Sequence, residues 1–237
     1  MDADETAAGP DELTVTDRTR LRRFAQKGSH ARADLHAVLD AGFVCHLGLV
    51  TESGPMVLPT SYGRDGDRLY LHGSVASRSL RAAAGRVPMC VTVTLVDGIV
   101  LARSVFEHAI NYRSAVVYGT PTVLTDPEDK RTGLHAISEQ VAPGQWGYAR
   151  EPSVEELAVT TVLVMDLEEA SVKVRTGPPS DGAGPDAERA VWAGEIPLRT
   201  SRLEPVPDPT GHVPVDLPAH LARPGVAAGA LPIDTHA

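Results

Sequence analysis

The chain has 237 residues, of which 42% are hydrophobic but only 4% aromatic, which suits one sizeable domain with a core of Val, Leu and Ala. A formal charge of −9 with a pI near 5.4 argues against a general nucleic-acid or anionic-membrane surface as partner. Cys45 and Cys90 each sit in an apolar run, which excludes a disulfide framework and a CxxC metal site and reads as two buried thiols.

Residues 1 to 15 are acidic and poor in apolar side chains, so a flexible N-terminal segment is expected there, followed by one domain over 16–198 and a Pro-rich tail over 199–237. The N-terminus lacks the basic and apolar regions of a signal peptide, and no stretch reaches the ~18 apolar residues of a spanning helix; the expectation is a soluble, cytoplasmic protein. Thr16 to Lys27 carries Arg18, Arg20, Arg22, Arg23 and Lys27, which reads as a solvated face. Ser29 is placed to cap a helix over Ala31–Ala41, with Leu35, Val38 and Leu39 on one face and Gly42 after it. In Phe43–Val50 the residues Phe43, Cys45, Leu47 and Leu49 alternate with Val44, His46, Gly48 and Val50, a strand that sets His46 opposite the aliphatic row.

Val57-Leu58 and Leu69-Tyr70-Leu71 flank Gly63-Arg64-Asp65-Gly66-Asp67, turn chemistry for a β-hairpin whose second strand ends at His72. Gly73-Ser74-Val75-Ala76-Ser77-Arg78 is small and hydroxylated, with Ser77 as N-cap of a helix over Arg78–Ala84 and Gly85 as its stop. Free N–H groups, two hydroxyls and a guanidinium at a helix start suit a phosphate, and an ordinary capped helix accounts for the same spacing.

Met89–Val96 alternates again, and Asp97-Gly98 reads as a hairpin turn into Ile99–Ser104. Asn111–Leu124 is extended but broken at Gly119 and Pro121. Asp126-Pro127 opens a helix to about Gln140, Pro143–Trp146 is a loop, and Ser153–Glu156 is a capping box. Val159–Leu167 and Ala170–Thr176 return to strand character, with Lys173 and Arg175 on one face. After the Gly177–Asp186 loop, the tail holds too many prolines for regular structure. Short strands joined by tight turns indicate a barrel, mainly β with peripheral helices, rather than a doubly wound sheet. GxxxxGK[ST], GxGxxG, HExxH and GxSxG motifs are absent.

Several ordered blocks carry a resemblance: CHLGLV (Cys45–Val50), VLPTSYGRDGDRLYLHGSVASRSLR (Val57–Arg81), CVTVTLVDGIVLARS (Cys90–Ser104), NYRSAVVYG (Asn111–Gly119) and ASVKVRTGPP (Ala170–Pro179). Over roughly Arg18–Leu198 the chain resembles the flavin-nucleotide-binding branch of the pyridoxamine 5'-phosphate oxidase-like superfamily, related to the nitroimidazole-resistance proteins. The resemblance implies an FMN-binding split β-barrel, a homodimer with FMN in its interface, and a leading segment, here Thr16–Lys27, beside the flavin pocket. It implicates Ser74, Ser77 and Arg78 at the phosphate and Pro59, Thr60, Ser61 and Tyr62 along the ring and ribityl chain. Asn111 and Arg113 would reach the flavin from the dimer interface, with an edge-strand salt bridge an equal reading of Arg113. Trp192 is a candidate to cover the ring. His72 matches a histidine close to flavin and substrate, the candidate catalytic residue. Pro55-Met56-Val57-Leu58 lacks the arginine that opens the equivalent strand of the oxidases, and their C-terminal pyridoxal-phosphate signature is not evident, which argues against pyridoxamine-phosphate oxidation. The expected function is an FMN-dependent oxidoreductase of a small organic substrate such as a nitroaromatic compound. The alternatives are a haem-binding split barrel with His72 or His46 as iron ligand, and a flavin-binding module without turnover.

Overall fold

The computed structural model describes residues 9, 11–77, 87–183, 185–211, 213 and 215–222; the expected helix over Arg78–Ala84, and with it Arg78, lies outside these. In chain order the elements are β1 (Gly28–Ser29), α1 (Arg32–Ala41), β2 (Val44–Thr51), β3 (Gly54–Asp65), β4 (Arg68–Ser74), β5 (Met89–Leu101), β6 (Ala109–Gly119), β7 (Thr122–Leu124), α2 (Pro127–Val141), α3 (Gln145–Tyr148), α4 (Val154–Ala158), β8 (Thr160–Asp166), β9 (Ala170–Arg175) and β10 (Gly194–Pro197). Among the described residues the strands form one antiparallel sheet in the order β1-β9-β6-β5-β2-β3-β4-β8-β7, with β10 added beside β5. The two ends of this path do not pair, yet one core joins Cys45, Leu47 and Leu49 of β2, Leu69 and Leu71 of β4, Val91 and Val93 of β5, Leu163 and Met165 of β8 and Val172 of β9. The sheet therefore curls so that both halves share one interior, a split barrel. Each buried Leu or Val contributes roughly 1.5–3 kcal/mol of transfer free energy.

α1 packs on β5, β6 and β9 through Leu35, Val38 and Leu39, which are at most 2% exposed. Its first turn differs from expectation. Ala31 is the N-cap without a side-chain bond; Ser29 instead accepts from Ala31 N–H and donates to Asp34. α2 is capped as expected by Asp126, which accepts from Glu128 and Asp129 N–H, and it lies across β3, β4 and β8. This approach requires glycine. A Cβ on Gly63 would stand 2.3–2.5 Å from backbone atoms of Ala136 and Ile137 in α2.

Four readings of the chain are corrected. Asp97-Gly98 does not turn the chain: β5 runs on to Leu101 with a register shift between Val96 and Gly98 against β6, because a bulge absorbs the extra residue without reversing the strand. Gln145–Tyr148 forms a short helix where a loop was expected. Cys90 is only half-buried, on the outer sheet face, whereas Cys45 is fully buried and its thiol is pushed up to about 12 by desolvation. Ordered packing begins before Thr16: Leu13 is 1% exposed and Glu12 bridges Ala31. The break at Gly119 and Pro121 has a clear purpose, since β6 pairs with β5 and β9 while β7 crosses to β8.

Candidate functional site

His72 stands near the end of β4, opposite Val162 of β8. Alternation puts it on the face shared with Tyr70, which packs on Ala136 and Ile137 of α2. It lines a cavity of about 510 Å³, a size suited to a cofactor. α2 contributes Leu134, Ile137, Ser138 and Val141 to the wall, positions i, i+3, i+4 and i+7 that form one helical face. Ser61 of β3 and Trp146 also line the cavity. Trp146 is held in two ways: Glu139 accepts from Gly144 N–H at 2.6 Å and Trp146 N–H at 3.0 Å, and the His135 ring stands edge-on to the indole with centroids 5.5 Å apart. The two amide bonds hold the Glu139 carboxyl below its usual range, beginning with that from Gly144. At the rim, Arg150 and Glu156 pair through two bonds of 2.9 and 2.8 Å.

His72 Nδ1 is buried and has no hydrogen-bond partner among the described residues. Burial lowers the imidazole pKa from its ordinary value, because a charge there would lose its hydration. The result is a neutral ring with an uncommitted nitrogen in a largely apolar cavity, the state in which imidazole ligates a metal or accepts a proton.

Next to the cavity the outer face of the sheet is open. Val44 pairs with Ser61, His46 lies between Pro59 and Thr92, and Gly48 lies between Val57 and Cys90. Val44, Val50, Val57 and Val96 on this face are 48–66% exposed. Gly48 lets β2 and β5 bring Cys90 Sγ close, since a Cβ there would meet it at 2.8 Å.

The expected site residues divide between the two faces. Pro59, Ser61 and His46 are on the outer face and His72 borders it. Thr60 and Tyr62 point the other way; Tyr62 is fully buried and its hydroxyl donates to Leu39 C=O in the core. A strand of period two cannot present four consecutive side chains to one ligand. Asn111 and Arg113 are 5% and 8% exposed on the inner face. Arg113 donates to both oxygens of Asp97 at 2.9 and 2.8 Å, which favours the salt-bridge reading, and its Nη1 has no partner among the described residues. Asn111 donates to Glu195 and Gly177 C=O and accepts from Arg175. Trp192 is 64% exposed and lies against Gly194, away from the His72 cavity lining. Ser74 follows His72 by two residues, and its hydroxyl accepts from Ala76 N–H while its carbonyl accepts from Ser77 N–H. The apolar face of α2 and Trp146 went unremarked as a site wall; the 3.6-residue recurrence over 134–141 was the signal that could have found them.

A family model described as pyridoxamine 5'-phosphate oxidase matches residues 31–174. No curated protein matches the sequence. Among solved structures, the flavocytochrome Anf3 from Azotobacter vinelandii is 36% identical, with a TM-score of 0.82, covering 89% of this chain and 98% of its own. The FAD and haem binding protein from Mycobacterium smegmatis is 37% identical, with a TM-score of 0.78, covering 82% of this chain and 95% of its own. A proposed 5-nitroimidazole antibiotic resistance protein from Bacteroides thetaiotaomicron, 20% identical with a TM-score of 0.53 over 62% of this chain and 86% of its own, shares the fold. The unclosed antiparallel sheet, the helix laid across its second half and the match over most of the strands lead to one conclusion: the chain belongs to the pyridoxamine 5'-phosphate oxidase-like family of split barrels.

Proposed function

We propose that the protein is a homodimeric redox protein that binds both a flavin nucleotide and haem, and that it acts as an oxidoreductase on a small organic substrate. The observation that carries the haem is the buried Nδ1 of His72, without a partner among the described residues, in a cavity of about 510 Å³ with an apolar wall from α2. Neutral imidazole is a usual haem ligand, and the residues present fit the group: Leu134, Ile137, Val141 and Trp146 offer an apolar wall. Haem and flavin as sequence alternatives become companions in this reading, because relatives at 36% and 37% identity are a flavocytochrome and an FAD and haem binding protein. His46 is the weaker ligand candidate, being exposed on the open face.

The open face with Pro59, Ser61 and His46 fits a flat ring, and the Ser74–Ser77 turn that follows His72 fits a phosphate. When bound, the two groups would supply hydride and one-electron chemistry. The chain's own contribution is to hold His72 neutral, to set the α2 face and Trp146 beside it, and to present the open face. A second copy covers it best, since Val44, Val50, Val57 and Val96 expose apolar side chains across β2, β3 and β5.

The visible spectrum of the purified protein tests this. Flavin bands together with a Soret band are expected, and His72→Ala should keep the flavin while losing the haem or shifting its Soret band. A wild-type protein without haem returns His72 to the role of a proton donor beside flavin, for which the same variant should lose on the order of 10² to 10⁴ in turnover. Anaerobic reduction by NADPH or NADH separates an enzyme from a passive carrier.

A further inference from the structure

Among the described residues, the chain beyond β10 is tied back to α2 and α3 at two points. At the first, Arg202 Nη2 donates to Val141 C=O at 2.8 Å, and its Cζ stands 5.9 Å from the Phe43 ring centroid. Val141 ends α2 and lines the His72 cavity, and a cation on a terminal carbonyl suits the negative end of a helix. Every described residue from 203 to 217 is then exposed. The second contact is made by a turn in which Leu221 and Ala222 N–H donate to Pro218 C=O. This turn delivers His220 to α3.

His220 has a shaped berth there. Its Nε2 lies 2.9 Å from Gln145 Oε1, and since that oxygen only accepts, the imidazole nitrogen donates. Its ring stands 5.2 Å from that of Tyr148, tilted by 56°. Gly144, the N-cap of α3 at φ 88°, makes the room, because a Cβ there would meet His220 Cβ and Cγ at 3.2 and 3.3 Å.

A helix of four residues does not sustain itself, because nucleation costs more than a single turn of bonds returns. α3 is therefore held from outside. Glu139 of α2 fastens its start by accepting from Gly144 and Trp146 N–H, and His220 fastens Gln145 and Tyr148 at its two ends. Gln145 and Trp146 in turn line the cavity with His72.

We propose that the C-terminal segment is an integral part of this site, with His220 as a positioning residue. By clasping α3 it keeps Trp146 in the cavity wall, and its release opens the path by which the occupant of the cavity enters and leaves. The inference rests on the haem reading for the identity of that occupant, and on the berth of His220 for the clasp.

The test compares the full-length protein with His220→Ala and with His220→Gln, whose amide nitrogen stands as far along the side chain as imidazole Nε2 and keeps the donor. Transfer of haem to excess apomyoglobin should run roughly fivefold faster from the Ala variant than from wild type, the scale of one lost hydrogen bond. The Gln variant should recover most of the difference. In a Trp192→Phe background Trp146 is the only tryptophan, and its quenching by acrylamide should roughly double in the Ala variant as α3 opens locally. The urea midpoint should stay constant, since His220 lies outside the core. Unchanged haem transfer and quenching in the Ala variant overturn the inference and leave the haem reading standing. Faster transfer with a lowered midpoint and no recovery in the Gln variant also overturns it, because general destabilisation then suffices. If wild type carries no haem, that reading falls and quenching decides: a rise in the Ala variant supports the clasp, and no change overturns it.

Discussion

The imidazole of His72 sits where charge is disfavoured, so its folded pKa lies below the ordinary 6.5. On acidification the unfolded chain takes up this proton first, which draws the equilibrium toward unfolding. Its contribution to stability is therefore complete above pH 6.5 and declines as the pH falls from there toward the lowered folded value. His72→Gln should flatten this part of the stability profile, read as the urea midpoint measured between about pH 7.5 and 5; an unchanged acid slope would show that the ring is not desolvated as described. At this scale the sequence was partly legible. Alternation alone placed His46 outside and Cys45 inside. It also separates Pro59 and Ser61 from Thr60 and Tyr62, so the four do not form one contact run. Arg113 was undecidable because its partner, Asp97, sits on a bulge that reads locally as a turn.

α2 is the element on which the site depends, because its face over 134–141 forms the cavity wall and its backbone rests directly on β3 at Gly63. Gly63→Ala drives a methyl into that backbone, which cannot swing aside as a side chain does. It should cost about 3 kcal/mol, the upper part of the range for overpacking, and should lower haem content by moving Leu134 and Ile137. Denaturant unfolding of the variant checks the first and its absorbance the second. The helix and its caps were legible, since Asp126-Pro127 and Ser153–Glu156 are local signals. Which strand the helix would cover was not, because that depends on the pairing of β4 with β8, about ninety residues away in the chain.

At the scale of the whole molecule, the proposed dimer would form on the open sheet face. A second copy should bury the exposed valines of β2, β3 and β5, and Val57→Lys, central on that face and 66% exposed, should shift sedimentation from dimer to monomer and lower flavin content. A variant that stays dimeric would place the interface elsewhere. The lysine should cost little in the monomer, where the side chain already meets solvent.

β10 carries a last consequence, for where this protein can be shortened. The family match stops at residue 174, yet Gly194–Pro197 lies along Gly98–Leu101 of β5, so four residues from beyond that boundary seal the second half of the longest strand. A chain ended at Ala193 would leave Ile99, Val100 and Leu101 as an unprotected apolar edge, the template on which strands of other molecules add. It should aggregate, as seen by light scattering at concentrations where a chain ended at Thr200 stays clear. The minimal autonomous unit is thus set by hydrogen bonding between distant segments, and it is longer than the stretch by which the family is recognised.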